Sequence, residues 1–319
     1  MNYSKLGMTG VNISSLGLGG HEYLPDGRSR GFNEDLELAT TPGHIFDGFG
    51  DKNRIEILKS AYGLGINFFD VTMDSEKEAL GRNLKQNPPP YEIYVQTRPE
   101  GMVYTYDKNN EKMAQLDLLR NEARRILKLI KRETIDFFNI APMKAAFDND
   151  PDYIDKIGYN LSVLKREGYI RFASADTFSG EEIYLKMINS SHFDVVYLNF
   201  NFGDDKALEK VIPLAKEKNI GVIIREAYMK GELFNMAKEA KLENYSQIAN
   251  AALKWCLSHE AVNSVIHGTG HVSHLTSATN VLSENSLTKE DYGILQKIRE
   301  TKLFKQFEAK KTAEFYGLS

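Results

Sequence analysis

The chain has 319 residues, of which 42% are hydrophobic and 26% are charged, with 24 glycines, 9 prolines and a formal net charge of −4. This composition excludes disordered and fibrous proteins, and the length fits either two average domains or one large α/β barrel. The slight acidic excess, without a long basic run, argues against nucleic acid as the main partner.

Cysteine content and hydropathy narrow the class of protein further. The single cysteine, Cys256, excludes a disulfide framework and a thiolate metal cluster, and its helical surroundings indicate core packing. No window approaches about 18 uninterrupted apolar residues, so we predict no membrane-spanning helix and no membrane partner. The first residues lack the apolar stretch of a signal peptide, so we expect a cytoplasmic protein.

Short apolar runs recur along the chain at intervals that suit a parallel sheet. Each run is rich in Val, Ile, Phe or Tyr, and several are nearly continuous, as in strands that are buried on both faces. The eight predicted strands are Ile13–Gly19, Ile66–Thr72, Glu92–Arg98, Asp136–Met143, Ile170–Asp176, Val195–Asn201, Gly221–Ala227 and Ser264–Gly270.

Amphipathic segments with helical spacing separate these runs. Strands that alternate with helices imply parallel pairing through crossover connections. Eight such units close naturally into a (β/α)₈ TIM barrel, with a doubly wound open sheet as the alternative. The predicted helices are Arg54–Gly63, Lys112–Arg132, Tyr153–Arg166, Gly180–Asn189, Lys206–Asn219, Ser246–His259 and Val272–Ser283.

Two regions depart from the alternation. Residues 22–51 contain several glycines and prolines and are predicted to form a long loop, and loops of this length are usually functional or disordered. Residues 287–319 add a helix and a tail after the last strand. No repeat or linker interrupts the chain, so we expect one domain over residues 1–319.

In a barrel of this class the active site lies at the carboxyl ends of the strands. Charged residues that end apolar runs are therefore candidates for function, and Asp70 and Arg225 are the clearest. Arg98 ends the run next to that of Asp70, so the two side chains could form an ion pair that holds each in its charged state.

The last predicted strand runs into a glycine-rich turn and a helix. Backbone N–H groups and the helix dipole at such a turn favour anions, and barrels often bind phosphate there. His267, His271 and His274 lie in this region without a partnered carboxylate, so we predict no metal site. The Gly-x-Ser-x-Gly and Rossmann fingerprints are absent.

Several motifs, in order, resemble those of the aldo-keto reductases. The opening residues 3–19 are similar to that family's N-terminal hairpin and first strand, and Gly65-Ile-Asn-Phe-Phe-Asp70 is similar to its second strand. Further matches over residues 3–285 are Ser75-Glu76 with Leu80-Gly81, Thr134–Asp136, Glu167–Arg171, Phe193–Val196, Gly221–Arg225 with Gly231–Leu233, Ala252–Trp255 and Ser264–Gly268.

The resemblance implies a (β/α)₈ barrel that binds NADP(H), with NAD(H) as the alternative, and reduces a carbonyl group of a small molecule. Of the family's four catalytic side chains, Asp70 matches the aspartate and Arg98 takes the place of the lysine. Ala141 takes the place of the histidine, and Val71–Glu76 contains no match for the tyrosine. That tyrosine donates the proton, and arginine cannot replace lysine as a neutral relay because it stays protonated. The departure predicts an altered proton donor.

The resemblance also implies a set of cofactor contacts. No arginine or lysine follows Gly268 to hold a 2′-phosphate, so His271 or His274 would take that role. The implied cofactor-binding residues are Gly20, Asp176, Thr177, Tyr197, Arg225, Gly231, Leu233, Gly268, Thr269, Gly270, His271 and Asn280.

Three functions remain open from the sequence. The first is an oxidoreductase acting on a carbonyl or imine, in which the acid comes from a loop. His21, Tyr23, Tyr104 and Tyr106 are placed to reach the pocket, and His21, Tyr23, Tyr104 and Ala141 are predicted to line it. The alternatives are a cofactor-binding protein without turnover and a non-redox lyase or isomerase on the same barrel.

Overall fold

Eight parallel strands form a closed barrel in the computed structural model, which describes residues 1–24, 27–102, 106–284 and 286–318. Each strand pairs with its sequence neighbour, and the last pairs with the first to close the ring. The barrel strands are β3 Leu16–Gly19, β4 Phe68–Val71, β5 Tyr94–Thr97, β6 Ile135–Ile140, β7 Ile170–Ala175, β8 Val195–Asn199, β9 Gly221–Arg225 and β10 Ser264–His267. This topology confirms the (β/α)₈ barrel rather than the open sheet.

An N-terminal hairpin precedes the barrel. Its strands, β1 Tyr3–Lys5 and β2 Asn12–Ser14, are antiparallel, with Tyr3 opposite Ser14. The first predicted strand, residues 13–19, is therefore divided between β2 and β3. Apolar residues of the hairpin pack against inward-facing barrel residues and close one end of the barrel. This cluster contains Leu6, Val11, Ile13, Phe68, Tyr94, Phe137, Val195, Tyr197 and Ile223.

Helices cover the outside of the barrel, as predicted, and the C-terminal region forms two helices instead of a helix and a tail. None of the helices in the described part of the chain is long and apolar enough to cross a bilayer. The helices are α1 Leu36–Thr40, α2 Lys52–Gly63, α3 Asp74–Gln86, α4 Leu116–Ile130, α5 Lys144–Asn149, α6 Tyr153–Arg166, α7 Glu181–Ser190, α8 Val211–Glu217, α9 Glu232–Glu239, α10 Tyr245–Leu257, α11 Val272–Asn280, α12 Lys289–Arg299 and α13 Lys302–Phe315.

Helix α3 has no counterpart among the predicted helices because its inner face is polar. Asp74, Glu76, Lys77 and Asn83 are all buried, so the apolar periodicity that reveals a helix is weak. The buried Nζ of Lys77 lies 3.0 Å from Oδ1 of Asp74. On the inner face of this helix, ion pairing is thus combined with the apolar packing of Ala79 and Leu80.

The long loop over residues 22–51 is tied to α3. The backbone N–H of Gly43 donates to Asp74 Oδ2 at 2.6 Å, and that of Phe46 donates to Ser75 Oγ at 3.0 Å. Helix α1, which begins after its cap Asp35, lies within the loop. The described part of the loop is therefore fixed against the barrel by hydrogen bonds to buried side chains.

Candidate active site

Charged side chains from several strands meet at the carboxyl end of the barrel. Asp70 lies in β4, Arg98 directly follows β5, Asp176 directly follows β7, and Arg225 is the last residue of β9. All but Arg225 are less than a tenth exposed, and the side chain of Arg225 is 19% exposed. The three charged residues predicted at this rim, Asp70, Arg98 and Arg225, do come together.

Asp176 is the centre of this group. Its Oδ2 accepts hydrogen bonds from Nη2 of Arg98 at 2.9 Å and from Nη2 of Arg225 at 2.5 Å, and its Oδ1 accepts from Nδ2 of Asn139 at 3.1 Å. Burial alone would raise the pKa of Asp176, but the charges of Arg98 and Arg225 outweigh it and lower the pKa. The carboxylate is therefore ionised and its oxygens are engaged within the protein.

The pKa of Asp70 is shifted in the opposite direction. Burial raises its pKa to about 6, although the charges of Arg225 and Arg98 act to lower it. Arg98 pairs with Asp176 instead of forming the ion pair with Asp70 that the sequence suggested. The reason is that Asp176, which follows β7, points its carboxylate at the guanidinium of Arg98. The two residues are far apart in the chain, so the sequence does not reveal this contact.

Three further predicted positions lie deep in this end of the barrel. Tyr197 is completely buried, with the Arg225 guanidinium 5.9 Å from its ring centroid. Ala141 follows β6 and is 2% exposed, and Thr177 is buried beside Asp176. Their predicted contacts with cofactor or substrate stay predictions.

A second polar group lies where the chain leaves β3. Nδ1 of His21 is 2.5 Å from Oε1 of Glu76, and the backbone N–H of Thr72 donates to Oε2 of Glu76 at 2.7 Å. Gly20 lies against the same carboxylate, since a Cβ on it would stand 2.6 Å from Oε2 of Glu76. Arg54, from α2, donates to the backbone carbonyl of Gly19. Glycine at position 20 is therefore required by the approach of Glu76.

Tyr23 packs against the glycine-rich turn after β10. A Cβ on Gly268 would stand 2.1 Å from the Tyr23 hydroxyl, and one on Gly270 would stand 3.4 Å from Tyr23 Cβ. Burial raises the pKa of Tyr23 to about 12. Tyr23 therefore joins the first loop to the last turn, and its predicted place in the pocket stays a prediction. Predicted pocket residue Tyr104 lies outside the described residues.

The turn itself leads into α11. The hydroxyl of Thr269 accepts from the N–H of His271 at 3.0 Å, and His271 lies at the N-terminus of α11 with its ring 4.9 Å from that of His274. Asn280 is the last residue of the same helix. His267 is buried, which lowers its pKa to about 4, and its Nδ1 is 3.0 Å from the Tyr228 hydroxyl.

The remaining predicted cofactor positions lie at the start of α9. Gly231 precedes this helix with a φ of +95°, a conformation that favours glycine. Leu233 is completely buried in a core cluster with Phe202 and Phe304. Leu233 thus supports the helix from within, while the backbone near Gly231 remains the accessible part of this predicted contact.

Sequence reasoning assigned no role to three residues of the site. Glu76, in α3, contacts His21, and Arg54, in α2, contacts the last residue of β3. Asn139, in β6, contacts Asp176. The signal for Asn139 was its place as a polar residue near the carboxyl end of a mostly apolar strand. Within the described ranges no three His, Cys, Asp or Glu side chains form a group suited to a metal ion.

Comparison with known proteins agrees with this architecture. The model of the aldo/keto reductase family matches residues 41–300. L-galactose dehydrogenase of Arabidopsis thaliana is 22% identical over 88% of this chain and 87% of its own length. The uncharacterized oxidoreductase YqkF of Bacillus subtilis is also 22% identical, over 96% of this chain and 99% of its own.

A solved structure shows the same fold. Aldo-keto reductase AKR11C1 from Bacillus halodurans, in its holo form, superposes with a TM-score of 0.68 over 93% of this chain and 96% of its own, at 18% sequence identity. The family model covers most of the barrel, including every strand after the first. The chain therefore belongs to the aldo/keto reductase family of oxidoreductases.

Proposed function

We propose that this protein is an NADP(H)-dependent reductase that acts on a carbonyl or imine group of a small molecule and uses an altered proton donor. The observation that carries the proposal is the meeting of Asp70, Arg98, Asp176 and Arg225 at the carboxyl end of the barrel. In barrels this is the end where chemistry takes place.

The residues present fit a nicotinamide carboxamide. Oδ1 of Asn139 and Nε of Arg225 are buried, and neither has a hydrogen-bond partner among the described residues. Both side chains bond to Asp176, so the two atoms lie in the same small region. A carboxamide offers an N–H donor for the first and a carbonyl acceptor for the second. Buried polar atoms are normally hydrogen-bonded, so this pair supports a polar ligand here.

The turn after β10 fits the phosphate part of a dinucleotide. Gly268, Thr269 and Gly270 lead directly into α11, a helix of nine residues whose first N–H groups favour an anion. His271 and His274 are exposed at this end and are the candidates to contact a 2′-phosphate. When bound, the reduced cofactor supplies a hydride to the substrate carbon.

The chain's own residues then set the electrostatics of the reacting group. Arg98 is held by Asp176 and remains a cation, so it stabilises negative charge that develops on a substrate oxygen near it. Ala141 contributes no proton or hydrogen bond from its side chain. The proton that completes reduction must therefore come from another group, or the substrate must arrive already protonated, as an iminium does.

Cofactor binding and turnover can be tested separately. Purified protein is titrated with NADPH and with NADH while cofactor fluorescence is followed, and a panel of aldehydes, ketones and cyclic imines is then assayed for oxidation of the bound cofactor. We expect NADPH to bind more tightly than NADH and at least one substrate to be reduced. Arg225→Met is expected to weaken cofactor binding, while Arg166→Met, on the exposed end of α6, serves as a control.

The other outcomes point to the alternatives. Tight binding without turnover over the whole panel would indicate a protein that binds the cofactor without reducing a substrate. No binding of either nucleotide would favour a non-redox lyase or isomerase that uses Asp70, Arg98 and Asp176 at the same rim.

A further inference from the structure

The charged pair formed by His21 and Glu76 lies at the rim of the barrel beside Asp70. Gly19 of β3 is paired with Asp70 of β4. His21 follows Gly19 by two residues, and the charge of Asp70 acts on its imidazole. The side chain of His21 is 37% exposed, whereas that of Glu76 is 1% exposed. A buried carboxylate thus holds an imidazole that still reaches solvent.

Glu76 is fixed in place by several contacts. Its Oε2 accepts a hydrogen bond from the backbone N–H of Thr72 at 2.7 Å, and its carboxylate packs against Gly20. The charge of Arg54, in α2, also acts on the carboxylate. Its Oε1 binds Nδ1 of His21 at 2.5 Å. The ring of His21 also packs against Phe32, with centroids 5.2 Å apart. The ring therefore has one orientation, with the proton on Nδ1 committed to Glu76 and Nε2 left to exchange a proton elsewhere.

We propose that His21 is the proton donor of the reaction and that Glu76 is its positioning residue, a hypothesis that rests on the proposed reductase function. As hydride from the reduced nicotinamide forms the new C–H bond, the C=O π electrons move to the substrate oxygen. The N–H bond at Nε2 of His21 breaks and an O–H bond forms at that oxygen. The substrate is reduced to an alcohol and the nicotinamide is oxidised. Neutral His21 then takes up a proton from solvent, so each turnover consumes one H⁺.

The charges around His21 suit this role. Burial lowers the pKa of His21, but the charge and hydrogen bond of Glu76 together with the charge of Asp70 outweigh both burial and the opposing charge of Arg54. The net effect raises the pKa of His21 above its ordinary value, which favours the protonated ring that a proton donor needs. The reciprocal effect keeps Glu76 ionised, because the charge and hydrogen bond of His21 help to lower its pKa against burial.

The other candidate acids are less well placed. Burial raises the pKa of Tyr23 to about 12, and its hydroxyl lies against Gly268. The hydroxyl of Tyr106 lies 2.6 Å from Oγ1 of Thr41 and donates to the carbonyl of Glu37. Among these three side chains, His21 alone combines an accessible nitrogen with a fixed charged partner.

The test uses the variants His21→Gln and His21→Phe, the second of which keeps a ring beside Phe32. His192→Gln is the matched control, because His192 also pairs with a carboxylate, Asp155, at 3.0 Å, but away from the rim. With a ketone substrate, kcat is expected to fall by a factor of about 10²–10⁴ in both His21 variants, while the Kd for NADPH stays unchanged. With a preformed iminium substrate, which needs no proton, the loss is expected to disappear.

A second readout does not depend on turnover. In ¹⁵N-histidine-labelled protein, the His21 signal is assigned by its loss in His21→Gln, and its titration is followed by NMR. Its midpoint is expected above 6.5 in the wild type and is expected to fall in Glu76→Gln. In the same variant the alkaline limb of the pH–rate profile, where activity is lost as His21 deprotonates, is expected to move to lower pH.

Two results would distinguish a failure of the donor assignment from a failure of the proposed function. If the wild type turns over a ketone and both His21 variants stay within the spread shown by His192→Gln, the donor assignment is overturned and the reductase function stands. If the wild type reduces nothing in the panel, the proposed function fails and the donor role fails with it. A His21 midpoint at or below 6.5, or one that is unchanged in Glu76→Gln, would also overturn the assignment of Glu76.

Discussion

Arg98 donates a hydrogen bond to Asp176, with Nη2 of Arg98 2.9 Å from Oδ2 of Asp176, although 78 residues separate them in the chain. The pair lies at the carboxyl ends of β5 and β7, two strands that are not adjacent in the barrel. It thus spans the barrel mouth and, together with Arg225, fixes the charges around Asp70.

Removing the carboxylate of Asp176 should destabilise the protein strongly. Asp176→Asn leaves Arg98 and Arg225 in a buried region without their anionic partner, and the loss of one member of a buried pair typically costs about 3–5 kcal/mol. The free energy of unfolding in urea measures the effect. Glu260→Gln, which breaks an exposed pair with Lys216, is the control and should leave it unchanged. Equal effects of the two substitutions would contradict the structural role of Asp176.

Asp70 should destabilise the folded protein at neutral pH. Its pKa of about 6 lies above the ordinary value of 3.8, so the folded state binds this proton more tightly than the unfolded state does. The extra stability from this tighter proton binding is therefore complete below pH 3.8, and it is lost as the pH rises to about 6 and Asp70 ionises. Asp70→Asn should raise the free energy of unfolding at pH 8 by at most about 3 kcal/mol, from a shift of about two pKa units.

Asp74 supplies the matched control for that experiment. Burial would raise its pKa, but the charges of Lys77 and Arg125 and the hydrogen bonds from Arg125 and Gly43 lower it. Its contribution is present above pH 3.8 and is lost as the pH falls, so Asp74→Asn should destabilise the protein at pH 8. A loss of stability in Asp70→Asn at that pH would show that Asp70 is structural.

Close packing of α3 against α4 depends on Gly81. A Cβ at this position would stand 2.2 Å from the carbonyl oxygen of Leu129, which is backbone and cannot move aside easily. Gly81→Ala is expected to destabilise the protein by about 1–3 kcal/mol. Gly293→Ala is the control in α12, where no atom lies within 4 Å, and should stabilise by up to about 1 kcal/mol. Thermal unfolding of both variants distinguishes packing from helix propensity.

The preference for NADPH over NADH should depend on pH through His274. Burial and the charge of His271 lower the pKa of His274 below its ordinary value, so its cationic form is favoured as the pH falls. If this side chain contacts the 2′-phosphate, the ratio of NADPH to NADH affinity should rise by about two- to fivefold between pH 7.5 and 5.5. Fluorescence titration measures both affinities. The rise should be absent in His274→Ala and present in His192→Ala; a rise of equal size in both would exclude His274.

The sequence alone determined the architecture of this protein, because strands that are buried on both faces appear as continuous apolar runs. Seven of the eight barrel strands lie inside their predicted runs, and β6 begins one residue before its run. The same reasoning located Asp70, Arg98 and Arg225, since a charge at the end of such a run must face the mouth of the barrel. It did not detect α3, whose buried face is largely polar and therefore carries only a weak apolar period.

Only the tertiary structure decided which of these side chains are partners. Asp176 takes both arginines, and Glu76 takes His21 from 55 residues away, because closing the barrel brings together the ends of elements that are distant along the chain. Ion pairing depends on distances of a few ångströms, and burial determines how strongly two charged groups interact. Neither quantity is encoded in the local pattern of residues.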